Sequence, residues 1–212
     1  MERQSYNIEK RTSHLLKIAL ICGLFLVQAQ KKSFAEGYLI EKSGDTIKGL
    51  VKDRSPEPFV NLYHKIRFKR AGRGRTRKYG PDDIFGYGYQ DQHFISIPLR
   101  EESTFFKFRY YTDASAPREF LKVIATTDKL VYFEQLFVHD DNDYLDAFPL
   151  FYRLGSNEMV RVTQGIFGLK RKRLAEYFSD CPALVEEMMS SNSKIKTVPE
   201  LFEFLVAQCD LK

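Results

Sequence analysis

The chain has 212 residues, of which 43% are hydrophobic and 29% are charged, and its formal net charge is +5. This length suits one large domain or two small ones, and the composition excludes a disordered or collagen-like chain, a polytopic membrane protein and a disulfide-dense miniprotein. The 12 Tyr and 18 Phe residues supply enough large side chains for a substantial core, but nothing in the composition identifies a reaction.

The first predicted element is a signal peptide over residues 1–29. Four basic residues precede an uninterrupted run of about ten apolar or small residues at positions 18–27. Val27 and Ala29 stand at positions −3 and −1, where signal peptidase requires small side chains, so we expect cleavage after Ala29. Cleavage after Ala35 is the alternative cut.

An uncleaved anchor helix is the other interpretation of this leader. The apolar run is too short for it, because about ten residues at 1.5 Å each span roughly half of a bilayer core that is ~30 Å thick. The sequence therefore predicts export to the periplasm or cell envelope, with no transmembrane span in the mature chain. Four cations and two acids leave with the leader, so about +3 of the net +5 remains.

Strands and turns are predicted for most of the mature chain. Residues 38–51 fit a β-hairpin in which Gly44 and Asp45 form the turn. In residues 65–69, apolar side chains alternate with cations, which is the period of a half-buried strand, and residues 71–77 are predicted as a loop.

Further strands are predicted at residues 84–89, 94–97, 105–111, 120–125, 130–137, 150–154 and 159–162. The strands at 120–125 and 130–137 show no clear amphipathic alternation, which predicts that both are central in a sheet. A β-turn with Pro81 at its second position is predicted for the segment that contains residues 81–83.

The hydrophobic period changes after Gly165. Apolar residues recur at helical spacing over residues 166–178, and Asp180 is the predicted N-cap of a second helix. Thr197 and Glu200 fit a capping box, which predicts a last helix. Strands followed by helices indicate an α+β fold, mainly antiparallel, with a curled sheet, sandwich or open barrel and two to three C-terminal helices.

The predicted organisation has three parts. They are a signal peptide at residues 1–29, a β-rich domain at residues 30–165, and a helical segment at residues 166–212 that packs on it. This division follows from the leader and from the change of period after Gly165.

Five short motifs occur in an order that resembles a known family. They are GYLI at 37–40, GDTIKG at 44–49, YGPDDIFGY at 79–87, FLKV at 120–123 and LAEYFSDCP at 174–182. With the leader, they resemble a family of exported proteins common in Bacteroidota-type bacteria that has no known activity. The resemblance covers most of the mature chain and implies export, a β-rich body and a helical tail, but no functional residue.

The strongest charge feature is a run of eight cations without an acid in residues 65–78. These are Lys65, Arg67, Lys69, Arg70, Arg73, Arg75, Arg77 and Lys78. Such a run attracts polyanions, and Phe68 and Tyr79 are candidates for stacking on them. Export disfavours nucleic acid and favours envelope polyanions, namely lipid phosphates or acidic glycans. The alternative is a solvated strand face with a mobile loop. Residues 170–173 either extend this run or form a solvated helix face.

No catalytic, cofactor-binding or metal-binding residue is predicted. The sequence has no G-x-S-x-G, S-x-x-K or H-E-x-x-H motif, and its mature histidines, His64, His93 and His139, are isolated. Residues 139–143 contain three Asp residues, but a polar turn is the preferred interpretation over a cation site. We therefore expect a non-enzymatic envelope protein with a binding or structural role. The alternative is an exported hydrolase in which the histidines converge on an unrecognised active site.

Cys181 and Cys209 are the only cysteines of the predicted mature chain. In an exported protein they are able to form a disulfide, which would add roughly 3–4 kcal/mol in the chain-entropy model. Two small buried thiols are an equally good interpretation, because free Cys packs as a hydrophobic residue. The sequence leaves both alternatives open.

Overall fold

The computed structural model describes residues 33–54, 64–72, 74–104, 107–138 and 145–211. Within these ranges the chain forms one open, antiparallel sheet followed by three helices, which confirms the predicted α+β class. The predicted signal peptide, residues 1–29, lies outside the described residues. Of the described helices, none is both long and apolar enough to cross a membrane.

The described sheet has twelve strands. They are β1 (Ala35–Glu41), β2 (Thr46–Lys52), β3 (Ile66–Arg70), β4 (Thr76–Tyr79), β5 (Ile84–Tyr89), β6 (Gln92–Pro98), β7 (Arg100–Thr104), β8 (Lys107–Tyr111), β9 (Arg118–Thr126), β10 (Leu130–Val138), β11 (Leu145–Arg153) and β12 (Glu158–Arg161). Their order is β4-β3-β2-β1-β5-β6-β9-β10-β11-β12-β8-β7, so β4 and β7 are the two edges.

Three strands differ from the sequence prediction, and one of them, β11, begins at Leu145 instead of at residue 150. β4 includes Thr76 and Arg77, which were predicted as part of a loop over residues 71–77. β7 was not predicted, because all five of its residues are polar and provide no apolar alternation. Its pairing with β8, from Arg100↔Tyr111 to Thr104↔Lys107, makes it a strand.

The central strand β9 is buried on both faces at its Phe120 and Leu121, in agreement with its lack of alternation. Phe120 on β9 belongs to a cluster with Leu39, Ile66 and Phe94, whereas its neighbour Leu121 belongs to a separate cluster. Successive side chains of a strand point to opposite faces, so these two clusters lie on opposite sides of β9. Phe120 and Leu121 are 1% and 0% exposed.

The helices cover a third cluster, formed with the strands around Phe151 and Val160. They are α1 (Arg171–Tyr177), α2 (Pro182–Met189) and α3 (Val198–Gln208), preceded by a 3₁₀ turn at Gly165–Phe167. Thr197 accepts from the Glu200 N–H while the Glu200 carboxylate accepts from the Thr197 N–H, which confirms the predicted capping box of α3.

The first two helices begin later than the sequence predicts. The predicted helix over residues 166–178 is a 3₁₀ turn and then α1, because Gly168 has a φ of 75° that a right-handed helix does not allow. The N-cap of α2 is Cys181 rather than Asp180. The Asp180 carboxylate instead accepts two hydrogen bonds from Arg153, at 2.9 and 2.6 Å.

Of the two alternatives for the cysteines, the structure has the disulfide. Cys181 and Cys209 are bonded, with their Cα atoms 5.3 Å apart. The bond joins the N-cap of α2 to the C-cap of α3. It therefore closes the helical segment around the cluster that the three helices share with the sheet.

Candidate functional site

The predicted polyanion-binding stretch, residues 65–78, includes β3 and most of β4, at one edge of the described sheet. We call residues 65–78 the basic hairpin. Lys52 on β2 is directly opposite Arg67 on β3, and Arg67 is directly opposite Lys78 on β4. Directly opposite residues of antiparallel strands share a face, with Cβ atoms about 4.5–5.5 Å apart. These three cations therefore form a row across three strands.

The register divides the other cations of β3 and β4 between two faces. Lys69 shares the face of Arg67, whereas Arg77 is opposite Phe68 and shares the other face with it and with Arg70. Phe68 is 3% exposed and belongs to the core. It is therefore not available to stack on a ligand, which corrects that part of the sequence interpretation.

The predicted residues of the basic hairpin differ in exposure. Those exposed are Lys65, Arg70, Arg75, Arg77 and Lys78, those half-buried are Arg67 and Lys69, and Arg73 lies outside the described residues. Charge at an edge strand also blocks pairing with a second sheet, so protection of the edge is a second physical role for β4.

A buried polar network joins the end of β2 to β5. Asp53 is 7% exposed, and its carboxylate accepts hydrogen bonds from the hydroxyls of Tyr87 at 2.6 Å and Tyr89 at 2.9 Å. The Arg54 guanidinium lies 5.5 Å from the centroid of the Phe94 ring. Burial raises the pKa of Tyr87 well above its usual value, so its hydroxyl keeps the proton that it donates. The network holds in place the strand that precedes the basic hairpin.

A cavity of about 790 Å³ lies between β8, the end of β12 and α1. β8 and β12 pair at two positions, Glu158↔Tyr111 and Met159↔Tyr110. We call this hollow the basic cavity, because its lining includes six cationic residues: Arg109, Arg161, Lys170, Arg171, Lys172 and Arg173. Its lining contains one carboxylate, that of Glu176, and apolar surface from Phe108 and Leu169.

Three of these six cations have partners within the fold, and the first, Arg109, interacts with the Tyr111 side chain. Arg173 forms ion pairs with Glu158 and Glu176. Arg171 donates to the backbone carbonyls of Ser190 and Ile195 at 3.1 and 3.4 Å, which ties α1 to the segment between α2 and α3.

Arg161 and Lys170 have a different environment. Arg161 packs against Phe148, with its guanidinium carbon 4.2 Å from the ring centroid, and its Nε atom is buried without a hydrogen-bond partner among the described residues. Burial lowers the pKa of Lys170, the charges of Arg161 and Arg173 lower it further, and Glu101 acts in the opposite direction. The side chains of Arg161 and Lys170 therefore lie close together in a partly desolvated environment.

Only part of this cavity has a signal in the sequence. Residues 170–173 are a local cluster, which predicts either an extension of the basic run or a solvated helix face. Arg109 and Arg161 are isolated cations on strands, and no local pattern joins them to α1. Only the position of β8 beside β12 does so.

The two described histidines contact different groups. His64 Nδ1 lies 3.7 Å from a Glu119 oxygen, and its side chain is 64% exposed. His93 Nδ1 lies 2.6 Å from the Tyr38 hydroxyl. His93 pairs with Val123, which is four residues from Glu119 along β9, or about 13 Å at the usual rise of a strand. The third histidine of the hydrolase hypothesis, His139, lies outside the described residues.

The Tyr38–His93 pair borders a second hollow of about 570 Å³ over β1, β2, β5 and β6. A Cβ at Gly88 would lie 2.7 Å from the Tyr38 ring, so this position needs glycine for the ring to reach His93. The acidic turn at residues 139–143 lies outside the described residues. Elsewhere in the described chain, no group of three or more His, Cys, Asp or Glu side chains is arranged to hold a metal ion.

Comparisons of this chain with protein-family models, curated proteins and solved structures find no match. The resemblance to exported proteins of Bacteroidota-type bacteria therefore stays a prediction that depends on the order of its motifs. Function has to be argued from the charges and contacts described above.

Proposed function

We propose that this protein is a non-enzymatic, exported component of the cell envelope that binds anionic surfaces through the basic hairpin. The observation that carries the proposal is the row of Lys52, Arg67 and Lys78 across three adjacent strands. A surface of lipid phosphates or acidic glycan groups would be attracted by the cations of this row together.

The position of the basic hairpin suits an extended surface rather than a small ligand. Arg75, Arg77 and Lys78 are exposed on or next to the edge strand. Cations near an anionic lipid surface contribute about 1 kcal/mol each. Three such residues therefore raise the affinity for the surface about a hundredfold. Salt weakens this attraction because the charges are exposed to solvent.

Two features support export with cleavage after Ala29. Disulfides such as Cys181–Cys209 form and persist mainly in oxidising compartments outside the cytosol. β1 begins at Ala35, which pairs with Val51. Cleavage after Ala29 leaves this pair intact, whereas cleavage after Ala35 would remove it.

Retention of the exported protein on anionic vesicles tests the proposal. We expect it to bind vesicles that contain phosphatidylglycerol, or beads of polygalacturonate, and to be released by added salt. Replacement of Lys52, Arg75 and Lys78 by Gln removes two members of the row and the exposed cation next to β4, and it should weaken binding about a hundredfold. The mass of the purified protein should place Gln30 at its N-terminus.

The matched control removes three exposed charges elsewhere, by replacing Lys42, Lys194 and Lys196 with Gln. This variant has the same net charge as the hairpin variant and should bind nearly as well as the unaltered protein. Equal loss in both variants, or retention on purely zwitterionic vesicles, would contradict a specific role for the basic hairpin.

A further inference from the structure

The basic cavity brings together cations that are far apart in the chain. Arg109 is on β8, Arg161 ends β12, and Lys170 immediately precedes α1. Convergence of like charges from three elements costs free energy, and the cost grows when the site is partly shielded from water. A solvated helix face does not need such convergence, because its long side chains can spread into solvent.

The acids near the cavity compensate these charges incompletely. Glu158 and Glu176 pair with Arg173, and Glu101 is the acid that acts on Lys170. Within the described residues, Arg161 and Lys170 form no ion pair with a carboxylate. Arg161 packs on the Phe148 ring and interacts with the Tyr110 hydroxyl, and neither contact neutralises its guanidinium.

The size of the cavity and the chemistry of its lining indicate the class of ligand. A volume of about 790 Å³ is in the range of small-molecule sites, and an inorganic phosphate would fill only a small part of it. Guanidinium groups bind phosphate oxygens in pairs, and a lysine adds a point charge. Phe108 and Leu169 offer apolar contact for a carbon skeleton.

We propose that the basic cavity binds a small organic phosphate, with phosphate oxygens held by Arg161 and Lys170 and its carbon skeleton against Phe108 and Leu169. A phosphate group carries up to two negative charges near neutral pH, which matches these two cations better than a single carboxylate does. The site is independent of the basic hairpin, because β8 and β12 are near the opposite end of the strand order from β3 and β4.

Calorimetry with four probes tests this site on the full exported protein. Fructose 1,6-bisphosphate is the probe for a free sugar phosphate, and dihexanoyl phosphatidic acid is the probe for a lipid headgroup. Fructose and citrate are the matched compounds without phosphate. We expect saturable binding of one molecule of fructose 1,6-bisphosphate or of the short lipid, with fructose silent and citrate at least tenfold weaker.

Two variants locate the site, and a third controls for charge. The variant Lys170→Gln should bind the phosphorylated probe at least tenfold more weakly, and it leaves the packing of Arg161 on Phe148 intact. The variant Arg161→Gln should weaken binding to a similar extent, with folding checked by circular dichroism. The variant Arg77→Gln loses the same charge on the basic hairpin and should bind the probe unchanged.

Three outcomes would overturn the inference. They are the absence of saturable heat with both phosphorylated probes, binding of citrate as tight as that of fructose 1,6-bisphosphate, and equal loss of affinity in Lys170→Gln and Arg77→Gln. Tighter binding of dihexanoyl phosphatidic acid than of fructose 1,6-bisphosphate would identify a lipid headgroup as the source of the phosphate. Tighter binding of fructose 1,6-bisphosphate would identify a soluble metabolite. Failure of vesicle retention by the basic hairpin would leave this result untouched.

Discussion

The basic hairpin and the basic cavity are both cationic, but they collect their charges in different ways. The basic hairpin takes its cations from one continuous stretch at a sheet edge, and most of them are exposed. The basic cavity takes its cations from two strands, from α1 and from the residue before α1, and it partly desolvates Lys170. Cations that are close in sequence can lie together at a sheet edge through local structure. Cations that are far apart in sequence come together only when the whole fold has formed.

This difference separates the kinds of partner that the two regions suit. Exposed cations at a sheet edge suit an extended anionic surface. Salt screens the attraction between them beyond about 10 Å at moderate ionic strength. A concave, partly buried set suits a discrete anion, because shielding from water strengthens each contact. Substitutions of buried and of exposed residues separate packing from charge in each region.

The largest effect is expected from Phe68→Ala beneath the basic hairpin. Phe68 is 3% exposed and packs against Tyr79 with ring centroids 6.2 Å apart, so its loss should lower the free energy of unfolding by about 3–5 kcal/mol. Urea denaturation measures this change. The matched control is Phe85→Ala, since Phe85 is 47% exposed on β5 and should change stability by only about 0.5 kcal/mol. Equal effects would show that the hairpin is not packed on the core.

A slightly smaller effect is expected from loss of the disulfide that joins α2 to α3. Replacement of Cys181 and Cys209 by Ala should lower the free energy of unfolding by roughly 3–4 kcal/mol, because the bond closes a loop of 28 residues. Dithiothreitol should destabilise the unaltered protein to the same extent and leave the double variant unchanged.

The same double variant sharpens the comparison of the two regions. The bond closes the helical segment, which packs on a different cluster from the one beneath the basic hairpin. Retention on anionic vesicles should therefore be unaffected under conditions where the variant is folded. A loss of vesicle binding would show that the two regions depend on each other.

The smallest effect is a pH dependence specific to the basic cavity. The pKa of Lys170 in the folded protein lies below its usual value of 10.5, because of burial and of Arg161 and Arg173, with Glu101 opposing them. Between these two pKa values the unfolded chain binds more protons, so stability contributed by this group rises as pH increases towards 10.5. Urea denaturation across this range should show the rise, and Lys170→Gln should lose it.

Two comparisons check the origin of this pH dependence. Lys172→Gln removes an exposed neighbouring cation and should retain the rise. Fructose 1,6-bisphosphate should reduce the rise in the unaltered protein, because a bound anion stabilises the charged lysine. A rise of the same size in Lys170→Gln would assign it to other groups.

Much of the fold could be predicted because its signals are local. The turn at Gly44, the strand at Ile84–Tyr89 and the capping box of α3 each depend on residues a few positions apart. β7 was missed because it is a polar edge strand, which forms through pairing with β8 rather than through an apolar face. The start of α1 was misplaced because the backbone conformation of Gly168 interrupts a continuous helical period.

Of the two candidate sites, the sequence could predict only the first. The eight cations of residues 65–78 are visible as a run, but their division between two faces depends on the register of β2, β3 and β4. Asp53 and Tyr87 are 34 residues apart, so their buried hydrogen bond has no local signal.

The sequence by itself determined the class of fold, the capping box of α3 and the run of positive charge, because these follow from periodicity and from neighbours along the chain. Tertiary structure alone decided that Cys181 and Cys209 are bonded and that Arg161 meets Lys170. The physical reason is that pairing of distant strands brings together side chains whose attraction or repulsion exists only after the chain has folded.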